Sequence, residues 1–133
     1  SYYELVVACS NKHKFAKEKS ITLSELVKEK LLLREKGSSI RDIFDSAMLL
    51  HDIRVNPSWT SVNSQVLIEA AKENLGITVL PRVLVENEIN LGNLVEIKVN
   101  ELNLSNINHI VFYKGKVQTN SFKELINIIK NIV

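Results

Sequence analysis

The sequence predicts an α/β domain of three layers, a mostly parallel sheet flanked by helices. Three observations carry that prediction. Short apolar runs (Leu5–Cys9, Leu31–Leu33, Ile77–Leu80) alternate with segments of helical periodicity. Those helical segments open on capping signals, among them Thr22-Leu-Ser-Glu25, Ser39-Ile-Arg-Asp42 and Ser121-Phe-Lys-Glu124. Finally, Trp59–Pro81 compresses a strand end, a helix and a second strand into 23 residues.

Leu5–Cys9 is continuously apolar and runs into Ser10-Asn11-Lys12, the pattern of a buried strand with a polar loop behind it. Thr22 caps a short helix whose inward face is Leu23, Leu26 and Val27. Leu31–Leu33 forms the second strand, and Arg34–Ser39 is the loop at its C-terminal end. The box beginning at Ser39 opens a helix with Ile40, Ile43, Phe44, Ala47 and Leu50 on one side. Asn56-Pro57 ends that excursion, because a residue before proline is pushed out of helical geometry. In the next unit Asn63 is the expected N-cap, and Val66, Leu67, Ala70, Ala71 and Leu75 form the buried face. Val62 and Leu67 are spaced as a hydrophobic staple, and Gly76 is the expected left-handed helix stop.

This βαβαβαβ order predicts a parallel sheet whose connections are right-handed. Val83, Leu84, Val85 and Ile89 continue as a helix, Asn90–Asn93 makes a turn, and Leu94–Val99 alternates like a half-exposed strand. After a polar connector from Asn100 to Asn106, His109–Tyr113 reads as a strand. The final helix shows Phe122, Leu125, Ile126, Ile129, Ile132 and Val133, a stripe too apolar for solvent and expected to make the chain a homo-oligomer.

The 133 residues, 45% of them hydrophobic, suffice for one domain with a real core. A net charge of +2, with the basic residues interspersed, argues against direct DNA binding by this segment. A lone cysteine, Cys9, favours a reducing, cytoplasmic setting. No membrane span or signal peptide is legible, and the absence of an initial methionine points to a segment of something longer or to a tag scar. Chemistry is sparse. His13, His51 and His109 have no metal-ligand spacing, Cys9 has no activating base beside it, and Lys36–Ser39 lacks the Lys-Ser/Thr of a phosphate-binding loop. No catalytic residue, metal or cofactor is expected.

Two helix starts, at Ser38-Ser39 and at Ser61–Asn63, follow the C-terminal ends of strands. In open α/β sheets that edge takes ligands, and helix N-termini favour anions there. Gly37 would allow close approach to the backbone. The alternative is that these residues only cap their helices. Trp59 either covers a ligand at the mouth or belongs to the core.

The residues resemble the effector-binding domain of LysR-type transcriptional regulators, which has the fold of type 2 periplasmic binding proteins. Glu4–Val7 followed by His13-Lys-Phe-Ala16 is similar to a family strand and its "HPLA" loop. Leu31–Ser38 with Arg41 is similar to a strand, a Gly-Ser loop and a helix start. Asn63, Leu67, Ala71, Gly76-Ile77 and Leu80-Pro81 follow the "GLGI…LP" signature, with Glu88-Ile and Gly92-Asn-Leu94 after it. Lys14 departs from the family's proline, and Asn74 from its first glycine. The resemblance implies that residues 1–104 are the second effector-binding subdomain. Residues 105–133 would be the return hinge strand plus a terminal helix belonging to an otherwise absent first subdomain. It also implies a small-molecule effector, often an anion, held by Gly37, Ser38, Ser39, Trp59, Thr60 and Ser61, with DNA bound only through a missing N-terminal domain. A lobe of an exported solute-binding protein of the same fold is the alternative.

Overall fold

The computed structural model describes residues 4–104. The elements expected at His109–Tyr113 and from Ser121 onward, with the apolar stripe Phe122–Val133, lie outside the described residues. Five strands form one sheet in the order β3-β2-β4-β1-β5, with β1 Leu5–Ser10, β2 Leu31–Arg34, β3 Trp59–Ser61, β4 Ile77–Pro81 and β5 Leu94–Ile97. β2 pairs in parallel with β3 and β4, whereas β1 is antiparallel to both β4 and β5. Four strands therefore run one way and β1 alone runs against them. The apolar run Leu5–Cys9 could not reveal this, because a strand buried on both faces reads the same in either direction.

Alternation along the strands divides the core in two. On one face Leu5, Val7, Cys9, Leu31, Leu33, Ile77 and Val79 pack against helices α1 (Leu23–Leu26) and α2 (Ser39–Leu49) through Leu26, Ile43, Phe44 and Met48. On the other, Val6, Ala8, Leu32 and Leu80 meet α3 (Ser64–Lys72) and α4 (Arg82–Asn90) through Leu67, Ile68, Ala71 and Val85. Each large side chain so buried contributes about 1.5–3 kcal/mol. Thr78, fully buried in the central strand, donates its hydroxyl to the Leu32 carbonyl at 2.8 Å, so the polar atom costs little.

The caps depart from the expected pattern in instructive places. The Thr22 capping box is present. The cap of α2, however, is Ser38, whose Oγ accepts from the Arg41 N–H at 3.0 Å; Ser39 is the first helical residue. Leu50, the C-cap just past the end of the helix, is 80% exposed, and Met48 and Arg41 join Ile43, Phe44 and Ala47 as buried residues. Val27, the C-cap of α1, is exposed. In α3 Ile68 takes the inward place expected of Val66 and Leu75, both of which are exposed, and Val62 is 72% exposed, so no staple covers it.

The left-handed residue after α3 is Asn74, at φ 61, and not Gly76. Asparagine tolerates that region better than most residues with a side chain. Gly76 serves close approach: a Cβ there would lie 2.6 Å from the Lys30 carbonyl oxygen and 2.9 Å from Leu32 Cγ. With no side chain in the way, β4 draws up to β2, and the Ile77 N–H donates to the Lys30 carbonyl at 2.8 Å.

Candidate functional site

The C-terminal ends of β2 and β3 lie side by side, with Arg34 paired to Ser61, so the turns leaving them open two helices next to one another. The α2 turn passes through Gly37 at φ 98, with no atom within 4 Å of where a Cβ would stand. Ser38 then caps α2 through Arg41. The α3 start is closed more fully: Asn63 Oδ1 accepts from the Gln65 N–H at 2.8 Å and the Val66 N–H at 3.4 Å, while Ser61 Oγ accepts from the Asn63 N–H at 3.0 Å. A hydroxyl that accepts still has its hydrogen to donate, so Ser38 and Ser61 can cap and bind at once.

Between the two helix starts stands Arg34. Its Nε donates to Glu35 Oε1 at 2.9 Å and its Nη1 to Ser64 Oγ at 3.0 Å, which ties the end of β2 to the first residue of α3. Behind it, the buried Arg41 donates Nε to both Asp45 carboxylate oxygens at 2.9 and 3.0 Å, and Nη1 to the Arg34 carbonyl at 3.1 Å. The Arg34 guanidinium holds the Glu35 carboxyl below the usual carboxylate range. The edge thus concentrates two positive helix ends and one guanidinium on one side of the sheet, an arrangement suited to a negatively charged group.

The structure brings Gly37, Ser38, Ser39, Thr60 and Ser61 to this edge. Trp59 pairs with Leu32 at the start of the same short strand and is 40% exposed, so it is not part of the core. Arg34 was not singled out by the sequence reading, which placed it in a connector. A cation directly after a three-leucine strand and before a Gly-Ser turn was the available signal.

The same edge of the sheet includes the start of β1. Arg82, first residue of α4, donates to Glu4 through Nε at 2.9 Å and Nη2 at 3.2 Å, and to Glu96 at 2.8 Å. Arg82 lowers the Glu4 pKa, and its own pKa is raised in turn. The Leu5 N–H donates to the Leu104 carbonyl at 3.4 Å, so the chain enters and leaves the described unit at one point. Elsewhere, Cys9 is fully buried and its thiol is pushed up to about 12 by desolvation. His13 is used structurally, accepting from the Phe15 N–H at Nδ1 with Nε2 3.2 Å from Glu29 Oε1. Among the described residues no group of three metal-ligating side chains gathers, and no helix is long and apolar enough to cross a membrane.

The family model for the LysR substrate binding domain matches residues 2–132. The chain belongs to the LysR substrate-binding domain family. Among curated relatives, the transcriptional regulator CysL of Bacillus subtilis is 28% identical over 101 residues, covering 76% of this chain and 34% of that protein. The transcriptional activator CmpR of Synechocystis is 30% identical over 112 residues, covering 84% of this chain and 37% of that protein. This LysR-family chain therefore spans about a third of the length of the curated relatives it matches. Among solved structures, the effector-binding domain of QuiR in complex with shikimate superposes with a TM-score of 0.65 at 21% identity, over 76% of this chain and 47% of that one. The Synechocystis CcmR regulatory domain in complex with 2-PG gives 0.67 at 20% identity, over 98% and 62%. At such identities the superpositions establish the LysR effector-domain fold and nothing finer.

Proposed function

We propose that this chain is the effector-sensing part of a LysR-type transcriptional regulator, binding a small anionic molecule at the edge formed by α2, α3 and Arg34. Residues 1–104 act as the second effector subdomain, and residues 105–133 return the chain toward a first subdomain that supplies the facing wall of the cleft. Reading of DNA belongs to an N-terminal domain of the parent protein, which works as a cytoplasmic homo-oligomer. Closure of the two walls on the effector changes how the oligomer sits on its operator.

The observation that supports this best is Arg34, a partly buried guanidinium between two helix starts with Glu35 as its one carboxylate partner among the described residues. The guanidinium N–H groups beyond those given to Glu35 and Ser64 are donors a bound carboxylate or phosphate would accept from. Ser38, Ser39, Thr60 and Ser61 add hydroxyl or backbone donors, and Gly37 admits the ligand to the backbone. QuiR and CcmR are described with shikimate and with 2-PG, which is the ground for testing small acids first. The test is a thermal-shift panel of small carboxylates, phosphates and matched neutral compounds on the parent regulator. Stabilisation by one or a few acids, reduced by Ser38→Ala or Ser39→Ala while operator affinity is kept, is the expected result; unchanged response in both variants would leave Ser38 a helix cap and Ser39 a first-turn residue and nothing more.

A further inference from the structure

At the pole opposite this edge, where β1 ends and β2 and β4 begin, lies an open groove of about 510 Å³. His13, Lys14, Lys28, Glu29, Lys30 and Leu75 are among the residues that line it. The basic residues look scattered in the sequence, but the fold collects them: the loop after β1 is tied to the α1–β2 turn because Glu29 accepts both His13 Nε2 at 3.2 Å and Lys14 Nζ at 2.9 Å. Those contacts occupy both oxygens of Glu29, the one carboxylate in the lining. Lys28 and Lys30 are exposed and have no ion pair among the described residues. Beside them Leu75, turned outward by the left-handed Asn74, is 51% exposed.

We infer that this groove docks an acidic protein segment carrying an apolar side chain. The carboxylates meet Lys28 and Lys30, and the apolar side chain covers Leu75. Two features select a peptide over nucleic acid. A phosphate backbone would leave the half-exposed leucine uncovered, and two unpaired lysines are fewer than the run of cations a duplex backbone calls for. The inference is independent of the effector site, which lies at the other end of the strands.

The test uses the whole 133-residue chain and a short fluorescent peptide of aspartate and glutamate around one leucine, read by anisotropy. Saturable binding that weakens with salt is expected, as for exposed charge pairs. Lys28→Glu with Lys30→Glu should weaken it about tenfold, and Leu75→Ser about threefold, as expected for loss of exposed ion pairs and of a partly covered leucine. Glu73→Gln, removing an exposed carboxylate two positions before Leu75 in the chain, should tighten it. All four positions are exposed or half-exposed, so unchanged melting temperatures verify folding. The inference is overturned by absence of saturable binding, by unchanged affinity in the lysine variant, by equal affinity for a peptide with serine in place of leucine, or by duplex DNA binding more tightly through the same residues.

Discussion

Helices α2 and α3 start beside one another on the same sheet edge, yet their first turns are finished differently. Asn63 takes two N–H groups of α3 by itself, and the preceding Ser61 is folded into that turn. Ser38 takes one N–H of α2, that of Arg41, and is preceded by a glycine standing in open space. One helix start is closed by its own sequence; the other is left approachable, with Arg34 alongside. A helix N-terminus is thus a poor indicator of a site until it is known what the cap has already used. On this comparison the proposed anion site would centre on the α2 turn and Arg34, with α3 contributing through Ser61 and Thr60.

The change expected to disturb that balance most is Arg34→Gln. In the parent regulator it should weaken effector binding by about 1.5–3 kcal/mol, the range for a hydrogen bond to a charged group, as measured by calorimetric titration. Next come two glycines that serve opposite purposes. Gly76→Ala should destabilise the chain by about 1–3 kcal/mol in urea unfolding, because its Cβ meets backbone and Leu32. Gly37→Ala meets no atom, but its φ of 98 strains any L side chain, so about 1 kcal/mol of stability is lost there by conformation alone.

A smaller and more discriminating effect comes from the two caps. Ser38→Ala and Asn63→Ala should each cost about 1 kcal/mol of stability. Only Ser38→Ala should also weaken the effector response; equal losses of response in both would erase the distinction between the helix starts. The smallest effect is in pH. Glu35 has a folded pKa lowered below 4.5, chiefly by the hydrogen bond from Arg34. Its contribution to stability is therefore fully present above pH 4.5 and is lost as the pH falls through the lower folded value. Urea midpoints taken at descending pH should show this component in the native chain and not in Arg34→Gln.

Much of this fold is legible in the chain: the three buried strands, the Thr22 box and the Asn63 cap all stand where periodicity and capping chemistry put them. What escaped was non-local. The direction of β1 depends on which strands it joins, and nothing in an all-buried run encodes that. Ser38 and Ser39 are chemically equivalent caps, and only the backbone of the Gly37 turn decides between them. Gly76 looked like a helix stop because glycine suits both a left-handed turn and a close approach; the proximity of Lys30 and Leu32 was invisible. Arg34 was passed over for a related reason, since its importance lies in Ser64, thirty positions away.

The proposed anion site between Arg34 and the α2 turn is open to direct titration. The most direct measurement titrates the parent regulator and its Arg34→Gln variant with the acid that stabilises it most in the panel. At least a tenfold loss of affinity in the variant, with the fold and operator binding kept, is expected. Tightest binding of a neutral compound, at the same affinity in both proteins, would contradict it.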